Sequence, residues 1–166
     1  MKTASLIAVL GFTPLLNAVE ISPIRVRVEQ VTAVDNAKFK KTQEKSLKIF
    51  VTNGTAQDIA NLTVKYYFFG HGVKEHESEI MEKGERPASV KARLTEMVET
   101  PAVTATAIEK HSTGAGGKSK GKAKAKSVAA SGEKLTGYGV QVVGAGKVLA
   151  DYFSEPSFRE IVGGGQ

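Results

Sequence analysis

Leu62-Thr63-Val64-Lys65-Tyr66-Tyr67-Phe68-Phe69 decides the fold class. Leu62, Val64, Tyr66 and Phe68 alternate with Thr63, Lys65, Tyr67 and Phe69, and a period of two is that of an extended strand with two distinct faces. The second face is itself aromatic. The strand is therefore expected at the centre of a sheet, or with one face against a partner. Gly70-His71-Gly72 closes it. Upstream, Leu47, Ile49 and Val51 alternate with Lys48, Phe50 and Thr52, and the run stops at Asn53-Gly54-Thr55, a strong turn signal. Earlier still, Ile24, Val26 and Val28 alternate with Arg25, Arg27 and Glu29. Beyond Val28 the phase slips to Val31 and Ala33, and a one-residue slip predicts a bulge or kink.

Downstream, Glu75, Glu77 and Glu79 stand at strand spacing, which suits an edge strand with charges toward water. Val90, Ala92 and Leu94 continue the period. Val90, Leu94, Met97 and Val98 also fit a helical stripe, with Ser89 as its cap and Pro101 beyond its end. Strands are the preferred reading, and the helix stays open. Val103 to Ile108 is rich in β-branched residues and predicts a further strand. Order returns at Leu135, where Tyr138, Val140 and Val142 alternate with Gly139, Gln141 and Val143. Gly144-Ala145-Gly146-Lys147 reads as a tight hairpin. The return strand, Val148 to Phe153, lends either Val148, Ala150 and Tyr152 or Leu149 and Phe153 to a core. Ser154-Glu155-Pro156 ends it, and Gly163-Gly164-Gly165-Gln166 reads as a frayed tail. About seven short strands with turns between them predict an all-β protein, an immunoglobulin-like antiparallel β-sandwich. A Cys-Trp-Cys signature is absent, since the chain has neither residue.

Residues 1–18 read as a secretory signal. Lys2 is the only charge before Glu20, a run of roughly a dozen apolar residues follows, and Ala18 offers the small residue for cleavage. That run falls short of the about 20 apolar residues a membrane span needs. No later segment reaches that length, so no membrane span is expected, and the protein is placed as secreted, periplasmic or at the cell surface. Residues 19–166 are long enough for one domain with an adequate core. With no cysteine, that domain has neither a disulfide nor a thiolate metal site.

Charge is concentrated in a Lys/Gly-rich loop at 111–134, which carries Lys118, Lys120, Lys122, Lys124 and Lys126. The chain has 23 basic and 17 acidic residues. Setting aside those five lysines and Lys2 leaves the two signs balanced. Low apolar content and like charges predict a flexible segment. Its bland role is to keep a long loop solvated. Its functional role is an arm for an anionic polymer, a glycan or nucleic acid, bound electrostatically and without base readout, since no aromatic residue interleaves the lysines.

Other motifs fail on spacing. Residues 112–119 approach a phosphate loop, but Ser112 stands where its first glycine is required, so no nucleotide is expected. Residues 142–151 approach a dinucleotide fingerprint, but Leu149 stands where its third small residue belongs. His71, His76 and Glu77 lack metal-ligand spacing, and His111 stands apart; solvated loops suit all three histidines. Glu82 and Glu85 act as paired carboxylates only if the fold brings them to a cleft. Asn53-Gly54-Thr55 and Asn61-Leu62-Thr63 are formal glycosylation sequons already explained as turn chemistry. No catalytic, cofactor-binding or metal residue is assigned, and the protein is expected not to be an enzyme.

Asn53-Gly54-Thr55, the run from Leu62 to Gly70, Gly137-Tyr138-Gly139-Val140-Gln141-Val142-Val143 and Ser154-Glu155-Pro156 together resemble small exported immunoglobulin-like proteins of the Verrucomicrobia, in particular those associated with type IV pilus-like components. The resemblance implies a structural or binding role in pilus-associated assembly or cell-surface attachment, with pilus or envelope proteins as partners. A homo-oligomer and an anionic polymer are the other partner expectations. The chain lacks a pilin's N-terminal helix, so the resemblance does not make it a pilin subunit. Docking through sheet edges, or through the aromatic strand Tyr66 to Phe69, is the expected mode.

Overall fold

The computed structural model describes residues 22–113 and 126–164. The expected signal at 1–18, its cleavage point, Lys118, Lys120, Lys122, Lys124 and the last two residues of the tail lie outside them. In chain order the described elements are β1 (Ile24–Ala37), β2 (Lys40–Asn53), β3 (Ile59–Gly72), β4 (Glu79–Val90), β5 (Thr95–Glu99), β6 (Val103–Ile108), β7 (His111–Thr113), β8 (Lys126–Val128), β9 (Ser131–Gly144), β10 (Lys147–Phe153) and α1 (Ser157–Gly163). Every ladder is antiparallel.

The strands form two layers, sandwich-like and all-β as expected. In one, β2 runs between β1 and a strand broken in two, with β6 on Lys40–Lys45 and β5 on Lys48–Thr52. In the other the order is β4-β3-β9-β10. The layers join at one corner, where Ala107 and Ile108 of β6 pair with Gly132 and Ser131 of β9. The break between β5 and β6 falls at Thr100-Pro101. Pro101 has no N–H for the ladder. Thr100 bridges the gap: its N–H donates to Leu47 O at 3.0 Å, and its hydroxyl accepts the Leu47 N–H at 3.0 Å. With β5 and β6 taken as one broken strand, and β7–β8 as a small side ladder, seven strands build the sandwich.

The period-two residues fill the space between layers. Leu47, Ile49 and Val51 of β2 face Leu62, Val64, Tyr66 and Phe68 of β3 and Val140 and Val142 of β9, all buried. Each such aliphatic side chain contributes about 1.5–3 kcal/mol by leaving water. β3 is central, between β4 and β9. Its second aromatic face is covered from within the chain, by an element the periodicity did not reveal. Phe158 of α1 stacks on Phe69, with centroids 4.2 Å apart and planes at 7°. Gly137 and Gly139 of β9 make room for this outer layer, because a Cβ at either position would collide with Phe158 or Phe153. The β9–β10 connection is the expected tight hairpin. Ala145 and Gly146 both have positive φ, 49° and 76°, the signature of a type I′ turn.

Several local expectations are corrected. The ladder of β1 with β2 runs from Ile24 to Ala37 without a register shift, so there is no bulge at Val31. The apolar phase slips because β1 leaves the core there, and residues 29–37 are exposed on both faces. Glu75 and Glu77 sit in the connection before β4, and the edge strand begins at Glu79. Residues 91–94 make a turn, neither the strand expected to continue through Ala92 and Leu94 nor part of a helix, with Arg93 at φ 58° and Leu94 exposed. Order returns at Lys126 rather than Leu135: Lys126–Val128 pair with His111–Thr113 inside the expected 111–134 loop, and residues 131–134 gain ladder partners on β6 and β3. A bulge between Val148 and Ala150 lets Leu149 and Ala150 both pack against the core, so the return strand follows neither single phase.

Candidate docking edge and basic cleft

β1 is a 14-residue strand whose only ladder among the described residues is with β2. Its first turn of chain is tied down: Ile24 is buried, and the Ser22 hydroxyl donates to Leu149 O beside it. From Glu29 to Ala37 it runs free as the outer strand of a ribbon with β2. The ribbon tip is anchored to the small ladder, since Phe39 stacks on His111 at 4.1 Å and Phe39 O accepts the Glu109 N–H at 2.8 Å. Val31 and Val34 are each 46% exposed. Natural edges are blunted by charged side chains, Lys above all, by Pro or by a bulge; β1 carries Arg25, Arg27, Glu29 and Asp35 but no Lys, Pro or bulge. The aromatic strand, by contrast, is not a docking surface: Tyr66, Phe68 and Phe69 are buried and Tyr67 is half-buried.

Beside the corner where β6 and β9 join the layers lies a cleft of about 370 Å³ with Lys41, Lys110 and Lys134 among its lining, alongside Gln43, Glu109 and Ile108. Among the described residues none of these lysines makes an ion pair. Farther along β2, Lys45 is buried, and its Nζ donates to Leu135 O at 3.2 Å. Burial alone lowers the Lys45 pKa, because no carboxylate offsets the desolvation of its ammonium. The expected anion-binding residues are not gathered here. Lys118, Lys120, Lys122 and Lys124 lie outside the described residues, and Lys126 opens β8 opposite Thr113. The cleft lysines went unnoticed in the sequence because they come from three separate strands and connections.

The remaining candidates scatter. His71 Nδ1 meets Gly72 O at 2.7 Å at the end of β3, His76 is an exposed loop residue, and His111 lies in β7. Among the described residues no group of three or more His, Asp or Glu gathers as a metal site would require. Glu85 pairs with Lys65 at 3.6 Å and lines a shallow groove beside α1, whereas Glu82 lines a different depression beside Pro101. Tyr67 in that groove is a neutral phenol, its pKa raised by burial and then by the Glu85 charge. Asn53 is fully buried, and its side chain holds the turn: Nδ2 donates to Gln57 O and Val90 O, and Oδ1 accepts from Thr55. That sequon is closed in the folded protein. No helix among the described residues is long and apolar enough to cross a membrane.

No protein-family model and no curated protein matches the chain. A crystal structure of a protein from Akkermansia muciniphila, one of the Verrucomicrobia, is similar at 16% identity over 80% of this chain and 71% of that one, with a TM-score of 0.33. A likeness so distant brings no function with it.

Proposed function

We propose that this protein is a non-enzymatic binding or structural module that acts outside the cytoplasm, in pilus-associated assembly or cell-surface attachment, and that it docks by strand addition to β1. The observation that carries the docking mode is the outer edge of β1, free from Glu29 to Ala37 and without Lys, Pro or a bulge. Strand addition takes its affinity from backbone hydrogen bonds and its selectivity from flanking side chains, here Val31 and Val34 with polar neighbours. The pilus or surface setting rests on the sequence resemblance. A second reading, capture of an anionic polymer by Lys118 to Lys126, draws support from the basic cleft at the end where β7 and β8 hold that segment.

Retention in the envelope fraction of the native host separates the two. At about 1 M salt, where the Debye length is about 3 Å, a purely electrostatic attachment is lost. Docking at β1 expects retention of the native chain and of a chain lacking 114–126, and release of an edge-blocked variant. Gln30→Pro and Val31→Pro are made separately. Along an antiparallel strand alternate N–H groups point away from the neighbour, so one of the two leaves the β1–β2 ladder intact, and thermal unfolding shows which. Loss of retention with salt, or with deletion of 114–126, would sink edge docking in favour of the electrostatic reading.

A further inference from the structure

We infer that the partner on the β1 edge is a second copy of this chain, paired antiparallel about a two-fold axis at Val31. The inference rests on the edge-docking reading above and names its partner. An isologous contact requires a surface complementary to itself. Centring the pair on Val31 places Arg27 opposite Asp35 of the second copy, Val28 opposite its Val34, Gln30 opposite its Thr32 and Val31 opposite its Val31. Opposite charges and apolar pairs directly across a ladder are the stabilising combinations. Neighbouring registers match less well. Centring on Thr32 sets Glu29 against Asp35, and centring on Ala33 sets Val31 against Asp35. Centring on Gln30 keeps Arg25 against Asp35 but sets Glu29 against Val31, and its one apolar pair uses Val26, which packs against its own core. Even-sum registers keep the core-side face of one copy continuous with that of the other, so the sheet extends through the axis without inverting.

The backbone is ready for this. β1 has no register shift against β2, its residues 29–37 are exposed, and Arg27 on the same edge is exposed as well. Arg27 already pairs with Glu29 along its own strand, and an Asp35 from the second copy completes a three-charge group rather than displacing it. A ladder of this length lies at the weak end of specific interfaces, so association is expected to depend on concentration.

The chain contains no cysteine, so single cysteines report the register cleanly. Directly opposite residues have Cα atoms about 4.5–5.5 Å apart, inside the about 4.4–6.8 Å that a disulfide spans. Under mild oxidation Val31→Cys is expected to cross-link as a homodimer much faster than Lys83→Cys, a control on β4. Ala33→Cys alone is expected to match that control, because in this register the two copies of position 33 stand about 13 Å apart. A mixture of Glu29→Cys and Ala33→Cys is expected to give the mixed dimer. Light scattering of the native chain, up to about 1 mM at the weak end of association, is expected to show mass rising toward a dimer, and Asp35→Lys to shift that rise at least tenfold in concentration. The inference is overturned if Val31→Cys cross-links no faster than Lys83→Cys, or if Ala33→Cys self-links faster than Val31→Cys. Should self-pairing fail while envelope retention still depends on the β1 edge, the docking reading stands with a different partner. Should self-pairing succeed while retention ignores β1, the docking reading falls instead.

Discussion

The two long outer strands, β1 and β4, treat the same hazard in opposite ways. β4 carries Pro87, exposed Glu82, Lys83, Glu85 and Arg86, and two register irregularities against β3. Those are the devices that keep a free edge from pairing. β1 also carries charges, Arg25, Arg27, Glu29 and Asp35, but it has neither Lys nor Pro, and it keeps an unbroken ladder against β2. One edge is broken by proline and irregular pairing, and the other by neither. The difference teaches that edge protection here is selective, and that the open edge is the one to test for a partner.

The largest expected effect tests whether β4 is anchored where β1 is free. Val90 at the end of β4 is buried, while Val34 is 46% exposed. Val90→Ala is expected to cost about 1.5–3 kcal/mol in urea unfolding, and Val34→Ala to stay within about 0.5 kcal/mol. Equal losses would mean that β1 is packed in solution. Next, Val31→Lys sets like charges face to face at the proposed axis. It is expected to weaken self-association about tenfold, or about 1.4 kcal/mol, with monomer stability unchanged; unaltered light scattering would argue that β1 is as closed as β4.

Lys45 marks the boundary between the buried and free halves of the ribbon, opposite Thr32. Lys45→Met is expected to raise stability at pH 7 by about 1 kcal/mol, by removing a buried ammonium that has no counter-ion. The sign of the pH dependence follows. The folded pKa of Lys45 lies below the ordinary 10.5, so between the two values the unfolded chain holds more protons. Native stability therefore gains from Lys45 as pH rises through that window and loses it again as pH falls. Paired urea titrations of native chain and Lys45→Met should converge toward pH 10.5, and parallel curves would reject the assignment. The smallest effect concerns the guards on β4. Glu85→Gln breaks an exposed pair with Lys65 and is expected to change stability by less than about 0.5 kcal/mol. A larger loss would mean that these charges hold the edge in place rather than keep it soluble.

Much of the sandwich was legible locally. The alternations through Leu47 to Val51 and Leu62 to Phe68, the stop at Asn53 and the Ala145-Gly146 turn all appear where their residues place them. The bulge expected at Val31 is absent because a phase change in apolar residues also arises where a strand leaves the core, as β1 does beyond Val28 while keeping its register against β2. Helix α1 escaped notice because its seven residues bury chiefly Phe158, too little for a helical stripe to stand out. The cleft lysines 41, 110 and 134 are unremarkable one by one and meet only through pairing across β2, β6 and β9.

Period-two patterning and turn chemistry are short-range, since they depend on a residue and its near neighbours, and they suffice for an all-β antiparallel chain with a buried aromatic strand. Whether a strand is central or outer depends on which distant segment pairs with it. The residues of β1 look much like those of any half-buried strand. Their significance comes from the pairing of β2 with β5 and β6 on its far side, which leaves β1 at the margin with one row of backbone groups and Val31 facing water.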